Sequence, residues 1–161
     1  MNVNQDTKLE KITKDQLRMQ SEGAEFLVLG QLLIRHINAA KAYTNFPDWD
    51  ILAFDSKTNK QAKIQVKSRY ASDSIGFMLK SINFEFLVVV HLNRGIRYTK
   101  GKRFKPEAEI PQFWVIPKIE VERAVSKEKK TNGAWNLSLN KFPERASKFE
   151  NAWDLIGSAL I

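Results

Sequence analysis

Three polar side chains border or interrupt two short apolar runs. Asp50 immediately precedes Ile51-Leu52-Ala53-Phe54, and Gln65 and Lys67 alternate with Ile64 and Val66 in Ala62-Lys63-Ile64-Gln65-Val66-Lys67-Ser68. Both runs read as strands, and Ser56-Lys57-Thr58-Asn59-Lys60 between them is turn material, so the spacing predicts a β-hairpin. Residues two apart on a strand share a face. Matching the apolar sets predicts Ile51 opposite Val66 and Ala53 opposite Ile64, with Asp50 opposite Lys67 and Leu52 opposite Gln65. A slip by one residue would destroy that match. Asp50, Gln65 and Lys67 are therefore expected to converge at one end of the hairpin. A carboxylate and an amide oxygen are hard ligands suited to Mg²⁺, and the backbone carbonyl of Val66 supplies a third oxygen. A lysine beside such a cation orients or deprotonates a water and balances phosphorane-like charge. Hydrolysis of a phosphodiester needs a Lewis acid, an activated water and charge neutralisation, and these residue types cover all three. Glu25, an acid at the rim of the apolar run Phe26-Leu27-Val28-Leu29, is a candidate fourth group.

The elements that must hold these groups are legible around them. From Lys14 to Ile37 apolar residues recur at steps of three and four (Leu17, Ala24, Val28 or Leu29, Leu32, Leu33), which predicts a helix. Its second half is apolar on most sides and is expected to be largely buried. A short strand is expected near Ala40–Thr44. Phe86-Leu87-Val88-Val89-Val90-His91-Leu92 reads as a central strand, and Gln112-Phe113-Trp114-Val115-Ile116 as another, ended by Pro117. A short helix over Lys118–Lys127 and a polar loop over Lys127–Gly133 follow. Phe149, Trp153, Ile156 and Leu160 predict one amphipathic helix over Ala146–Leu160. Residues 69–83 carry no decisive pattern. The order of helix, strands and helix gives an α/β (α+β) class, with residues 14–161 as a single domain after a loose polar segment at residues 1–13.

Composition narrows the function. The chain has 161 residues, and 26 Lys plus Arg against 18 Asp plus Glu leave a net charge of +8. That balance favours polyanionic partners, nucleic acid first. Cysteine is absent, which excludes disulfides, thiolate metal sites and a cysteine nucleophile. The start Met1-Asn2-Val3-Asn4-Gln5-Asp6 lacks the features of a signal peptide. The apolar stretches Phe26–Ile37 and Phe86–Leu92 fall short of the roughly 20 residues that span a bilayer, so a cytoplasmic protein without membrane contact is expected. No P-loop, dinucleotide fingerprint or Ser-His-Asp signature is present. Arg94, Arg97, Lys100, Lys102, Arg103 and Lys105 lie in a stretch without an acid and are the candidate phosphate contacts, with Tyr98 and Phe104 placed to stack on bases. His91 reads as a core histidine, His36 as a helix-end residue and Asp55 as a turn residue.

Pro47-Asp48-Trp49-Asp50 followed by Gln65-Val66-Lys67 resembles the PD-(D/E)XK nuclease superfamily, in the branch whose second motif reads Gln-Val-Lys after an isoleucine. Glu25 in Ala24-Glu25-Phe26-Leu27-Val28 matches the acid that this branch carries on its first helix. The likeness spans about residues 20–92. It implies a restriction endonuclease-like core, with a central mixed β-sheet flanked by helices, and Mg²⁺- or Mn²⁺-dependent hydrolysis of DNA. By the same resemblance Glu25, Asp50, Gln65 and Lys67 are the catalytic set. Asp50, Gln65, the Val66 carbonyl and Glu25 are the metal ligands, with Asp48 second choice to Asp50. Gln65 stands where the family usually has Glu or Asp and removes one negative charge. The alternative is therefore a catalytically inactive nucleic-acid-binding module of the same fold. DNA is the expected partner, RNA stays open, and cutting both strands of a duplex favours a homo-oligomer.

Overall fold

Thr13 starts the first helix: its hydroxyl accepts from the backbone N–H of Gln16, and the Gln16 side chain accepts from the backbone N–H of Thr13. This reciprocal capping box satisfies two donors that a helix start otherwise leaves unpaired. The computed structural model describes residues 13–43, 48–72, 74–95 and 109–161, with Ala146 as backbone only. Helix α1 spans Lys14–Leu33 and ends earlier than Ile37. There His36 takes φ 61° and the N–H groups of Arg35, His36 and Ile37 turn back to the carbonyls of Leu32 and Leu33. Ala24, Val28 and Leu32 are buried, whereas Phe26, Leu27 and Leu33 are exposed, contrary to the expected burial of its second half. The helix lies on a sheet, which covers one side of it.

That sheet contains β1 (Asn38–Lys41), β2 (Ile51–Phe54), β3 (Gln61–Arg69), β5 (Phe86–His91) and β6 (Gln112–Pro117), in the order β1-β2-β3-β5-β6. Strands β3 and β5 are parallel and the other neighbours antiparallel, so the sheet is mixed. Between β3 and β5 the chain leaves the sheet to form β4 (Gly76–Leu79), which pairs with β7 (Trp135–Ser138) in a separate two-stranded sheet. Helices α2 (Lys118–Val125) and α3 (Asp154–Ala159) complete the fold. Every residue of β5 is buried, as its valine-rich run requires of a central strand. Val88 and Val90 pack under α1 with Trp153 and Ile156, while Leu87 and Val89 pack on the other side with Phe77, Val121 and Leu137. The chain is thus an α+β fold with a central mixed sheet flanked by helices, as expected.

Two further expectations are corrected by the structure. The hairpin forms, but two residues out of the expected register: Ile51 faces Ile64, Leu52 faces Lys63 and Ala53 faces Ala62. A shift of two keeps every side chain on its face, so apolar matching cannot distinguish the two pairings. The turn decides between them. The Asp55 carboxylate accepts from the N–H groups of Lys57 and Thr58, the Asp55 N–H donates to Lys60, and Asn59 takes φ 56°, which closes a tighter loop. The second correction concerns the carboxy-terminal segment. A π-helical turn over Arg145–Phe149 stops where Glu150 bridges to Trp114 and Asn151 takes φ 51°. The break wraps the chain around the β6 edge, so Phe149 enters one core while Trp153, Ile156 and Leu160 enter the other. One straight helix would place all four on the same side of the sheet.

Candidate active site

Strand β3 outruns its antiparallel partner. β2 pairs with it only as far as Ile64, so beyond that point no strand among the described residues lies beside the β2-facing edge of β3. Asp50, the residue just before β2, takes the vacant position: its Oδ2 accepts from the Val66 N–H at 2.7 Å and from Gln65 Nε2 at 2.5 Å. Gln65 Nε2 also donates to the Val66 carbonyl at 3.2 Å. The Asp50 carboxylate and the Val66 carbonyl therefore converge on one point, and the Gln65 amide nitrogen fills it. The corrected register explains the arrangement, because it brings Asp50 beside Gln65 instead of Lys67.

These groups line an open cleft of about 330 Å³, together with Glu25 from α1, Lys67 and Arg69 from β3, and Met78 from β4. Glu25, Asp50, Gln65, Val66 and Lys67, the residues singled out from the sequence, thus border a single space. Burial pushes the Asp50 carboxyl above the ordinary carboxylate range, against the pull of the Val66 N–H, Lys67, Lys41 and Gln65. Burial likewise raises Glu25; Lys41 opposes the shift and the charge of Asp50 adds to it. Burial lowers the Lys67 ammonium, and repulsion from Lys80 and Arg69 deepens the shift against Asp50 and Glu25. Among the described residues no group of three or more His, Cys, Asp or Glu side chains could hold a metal. A cation here would rest on two carboxylates, an amide oxygen and a backbone carbonyl. This all-oxygen set suits Mg²⁺ or Mn²⁺ and not Zn²⁺.

Lys41, on the edge strand β1, is the group that sequence reasoning missed. Its Nζ lies 2.8 Å from Glu25 and 3.0 Å from Glu22, and its side chain is only 6% exposed. Its ammonium sits 5.6 Å from the ring of Phe26 and 5.2 Å from that of Tyr43. Nothing local in the sequence signals this pairing, since the partners are joined only when β1 packs beside α1. Burial pulls the Lys41 ammonium down, but hydrogen bonds to Glu25 and Glu22 outweigh it and its pKa lies above the ordinary 10.5. A raised lysine pKa contributes stability that is complete at neutral pH and lost as pH climbs through the folded-state value. Lys41→Met keeps the packing of the stem but strands two carboxylates. It is expected to destabilise the fold by about 2 kcal/mol at neutral pH and by less in acid, where the glutamates protonate, as read by urea denaturation.

The remaining candidates lie elsewhere. Asp48 accepts from Ser81 at 2.5 Å and from Asn83 at 3.2 Å, and the Ser81 hydrogen bond leads in holding its pKa below the ordinary range. It does not line the cleft, so Asp50 is the carboxylate placed there. Arg94 is exposed just beyond β5, its backbone N–H bonded to Tyr70. Arg97, Lys100, Lys102, Arg103 and Lys105, with Tyr98 and Phe104, fall outside the described residues, as do Pro47 and residues 1–12. His91 is buried edge-on to Trp114, the ring centroids 5.0 Å apart. Among the described residues no helix is long and apolar enough to cross a membrane.

No protein-family model matches the chain, and no curated protein matches it. Among solved structures, it is similar to Hjc, a Holliday junction resolvase from the archaeal hyperthermophile Archaeoglobus fulgidus. There the TM-score is 0.44 and the identity 15%, over 76% of this chain and 87% of that one. It is also similar to a bacterial homing endonuclease, with a TM-score of 0.48 and 16% identity over 88% of this chain and 92% of that one. At these values the likeness is one of backbone course alone.

Proposed function

We propose that the protein is a divalent-metal-dependent endonuclease of the PD-(D/E)XK type, in its Gln-Val-Lys branch, that hydrolyses DNA phosphodiester bonds in the cytoplasm. One observation carries this reading. The Asp50 carboxylate and the Val66 carbonyl aim at a single point in a cleft that Lys67 and Glu25 also border. Bound there, Mg²⁺ or Mn²⁺ supplies Lewis acidity to the scissile phosphate and acidifies a water. Asp50 holds its carboxylate fixed through the Val66 N–H. A half-turn of the Gln65 amide presents Oε1 in place of Nε2. Glu25, released from Lys41, supplies a further carboxylate, direct or through water. Lys67 is buried enough to give up its proton more easily than a free lysine, which fits a group that positions or deprotonates the attacking water. The net charge of +8 draws the chain toward the phosphate backbone, and Arg94 with the basic residues up to Lys105 is the proposed contact segment.

Gln65 favours a second reading. Its amide nitrogen occupies the convergence point and leaves the site one carboxylate short, as in a module that binds nucleic acid without cutting it. Supercoiled plasmid incubated with Mg²⁺ or Mn²⁺ separates the two. The nuclease gives nicked and linear products that EDTA abolishes. Tight binding with intact plasmid in both metals establishes the second reading.

A further inference from the structure

Helix α1 carries two apolar faces. One is spent on the sheet through Ala24, Val28 and Leu32. On the opposite side Met19, Phe26 and Leu33 recur at seven-residue steps and are 67%, 47% and 48% exposed, flanked by Leu27 at 40% and Ile34 at 68%. At 3.6 residues per turn Met19, Phe26 and Leu33 form a line across the helix from Val28, with Leu27 and Ile34 to one side of it. Gly23 and Gly30 sit on the same line, between them. A Cβ added at either glycine meets nothing within 4 Å, so no described part of the fold needs the missing side chain. Glycine inside a helix costs about 1 kcal/mol relative to alanine. Two such residues alternating with large apolar side chains form notches between knobs, shaped for a close approach from outside.

We infer that this face is a homodimer interface in which two α1 helices pack antiparallel across a two-fold axis. The spacing specifies a second copy of this chain. In an antiparallel pair, positions that face each other have a constant sum. Seating Phe26 over Gly30 of the second copy automatically seats Leu33 over Gly23, and symmetry repeats both contacts. The area also fits. Five exposed apolar side chains and Tyr43, which is 77% exposed and faces the same Lys41 ammonium as Phe26, offer roughly 100 Å² each, or about 1,200 Å² over two protomers, at the lower bound of stable interfaces. At about 600 Å² per protomer the patch lies at the top of the range that monomers leave in water, where such patches are often functional. Its centre has no charged side chain, and the nearest acid, Glu22, is paired with Lys41 at the rim. Antiparallel helices also set opposite dipole ends side by side.

Sedimentation of the full chain across micromolar concentrations tests the dimer, and its lack of cysteine lets single cysteines report the register. The wild type is expected to sediment as a dimer. Leu33→Lys is expected to weaken association by at least about 100-fold with an unchanged circular dichroism spectrum. Gly30→Leu is expected to yield a monomer with its helix intact, because filling the notch harms only the partner's approach. Phe26→Cys mixed with Gly30→Cys is expected to form a disulfide-linked pair, whereas Phe26→Cys alone is not, its sulfurs lying a helical turn apart across the axis. A wild-type monomer throughout overturns the inference, and if Leu33→Lys then lowers its melting temperature, a segment of the same chain covers the face. A dimer that survives both substitutions, or Phe26→Cys linking to itself, overturns it equally.

Discussion

Replacing Asp50 by Asn is expected to abolish metal-dependent cleavage, by at least about 10³-fold, while raising the melting temperature of the metal-free protein at neutral pH. The two effects share one cause. Burial holds the Asp50 pKa above the ordinary 3.8 even though the Val66 N–H, Lys67, Lys41 and Gln65 all favour its charge. The folded state therefore binds this proton more tightly than the unfolded chain, and stability from this group falls as pH rises from the ordinary carboxylate value through the raised one. Asn ends that loss, and its side-chain oxygen still accepts from the Val66 N–H. Melting curves from acid to neutral pH should show the wild type falling away from the variant. Adding Mg²⁺ should lift the wild type by mass action and leave the variant unmoved. If the variant cleaves normally, Asp50 is not part of the chemistry. If it melts lower than wild type at neutral pH, the carboxylate is a structural anchor.

The grouping of Asp50, Gln65 and Lys67 was legible in the sequence because all three belong to one hairpin, where the face of each side chain follows from counting by twos. The finer pairing was not, because a shift of two leaves every face unchanged. Only the turn chemistry of Asp55 and Asn59 chooses between registers. Lys41 was invisible for a different reason. A lysine in Ala39-Ala40-Lys41-Ala42 looks like a solvated strand residue until β1 packs beside α1 and brings Glu22 and Glu25 to it. Periodicity misled where two surfaces compete for one apolar pattern. In α1, residues apolar on all sides imply burial, yet one face of the helix meets the sheet and the other does not. Between Phe149 and Leu160, the helical spacing is satisfied by two cores on opposite sides of β6. The strands β4 and β7 gave no usable signal, since they lie outside the central sheet, far apart in sequence, and pair only with each other.

Lys67→Met is expected to lower cleavage by about 10²–10⁴-fold, the usual contribution of a positioned proton acceptor, and to leave the Mg²⁺-induced rise in melting temperature equal or larger. Removing an ammonium that borders the cation site cannot weaken the site by charge repulsion, so loss of cleavage with metal binding retained separates the role of Lys67 from that of Asp50. Its titration sharpens the test. Burial disfavours the ammonium, and Lys80 and Arg69 add to that effect, so Lys67 loses its proton below the ordinary lysine value of 10.5. The unfolded chain holds this proton more tightly, so stability from this group rises as pH climbs from the lowered pKa toward the ordinary one. Cleavage at saturating Mg²⁺ should climb with pH through the same lowered value and then level off. Lys67→Arg keeps the positive charge but stays protonated throughout that range. If the lysine serves as proton acceptor, Arg is as inactive as Met. If it only balances charge in the transition state, Arg cleaves and the alkaline rise disappears. A Met variant that cuts as fast as the wild type removes Lys67 from the chemistry and leaves activation of the water to the cation and the carboxylates that border the cleft.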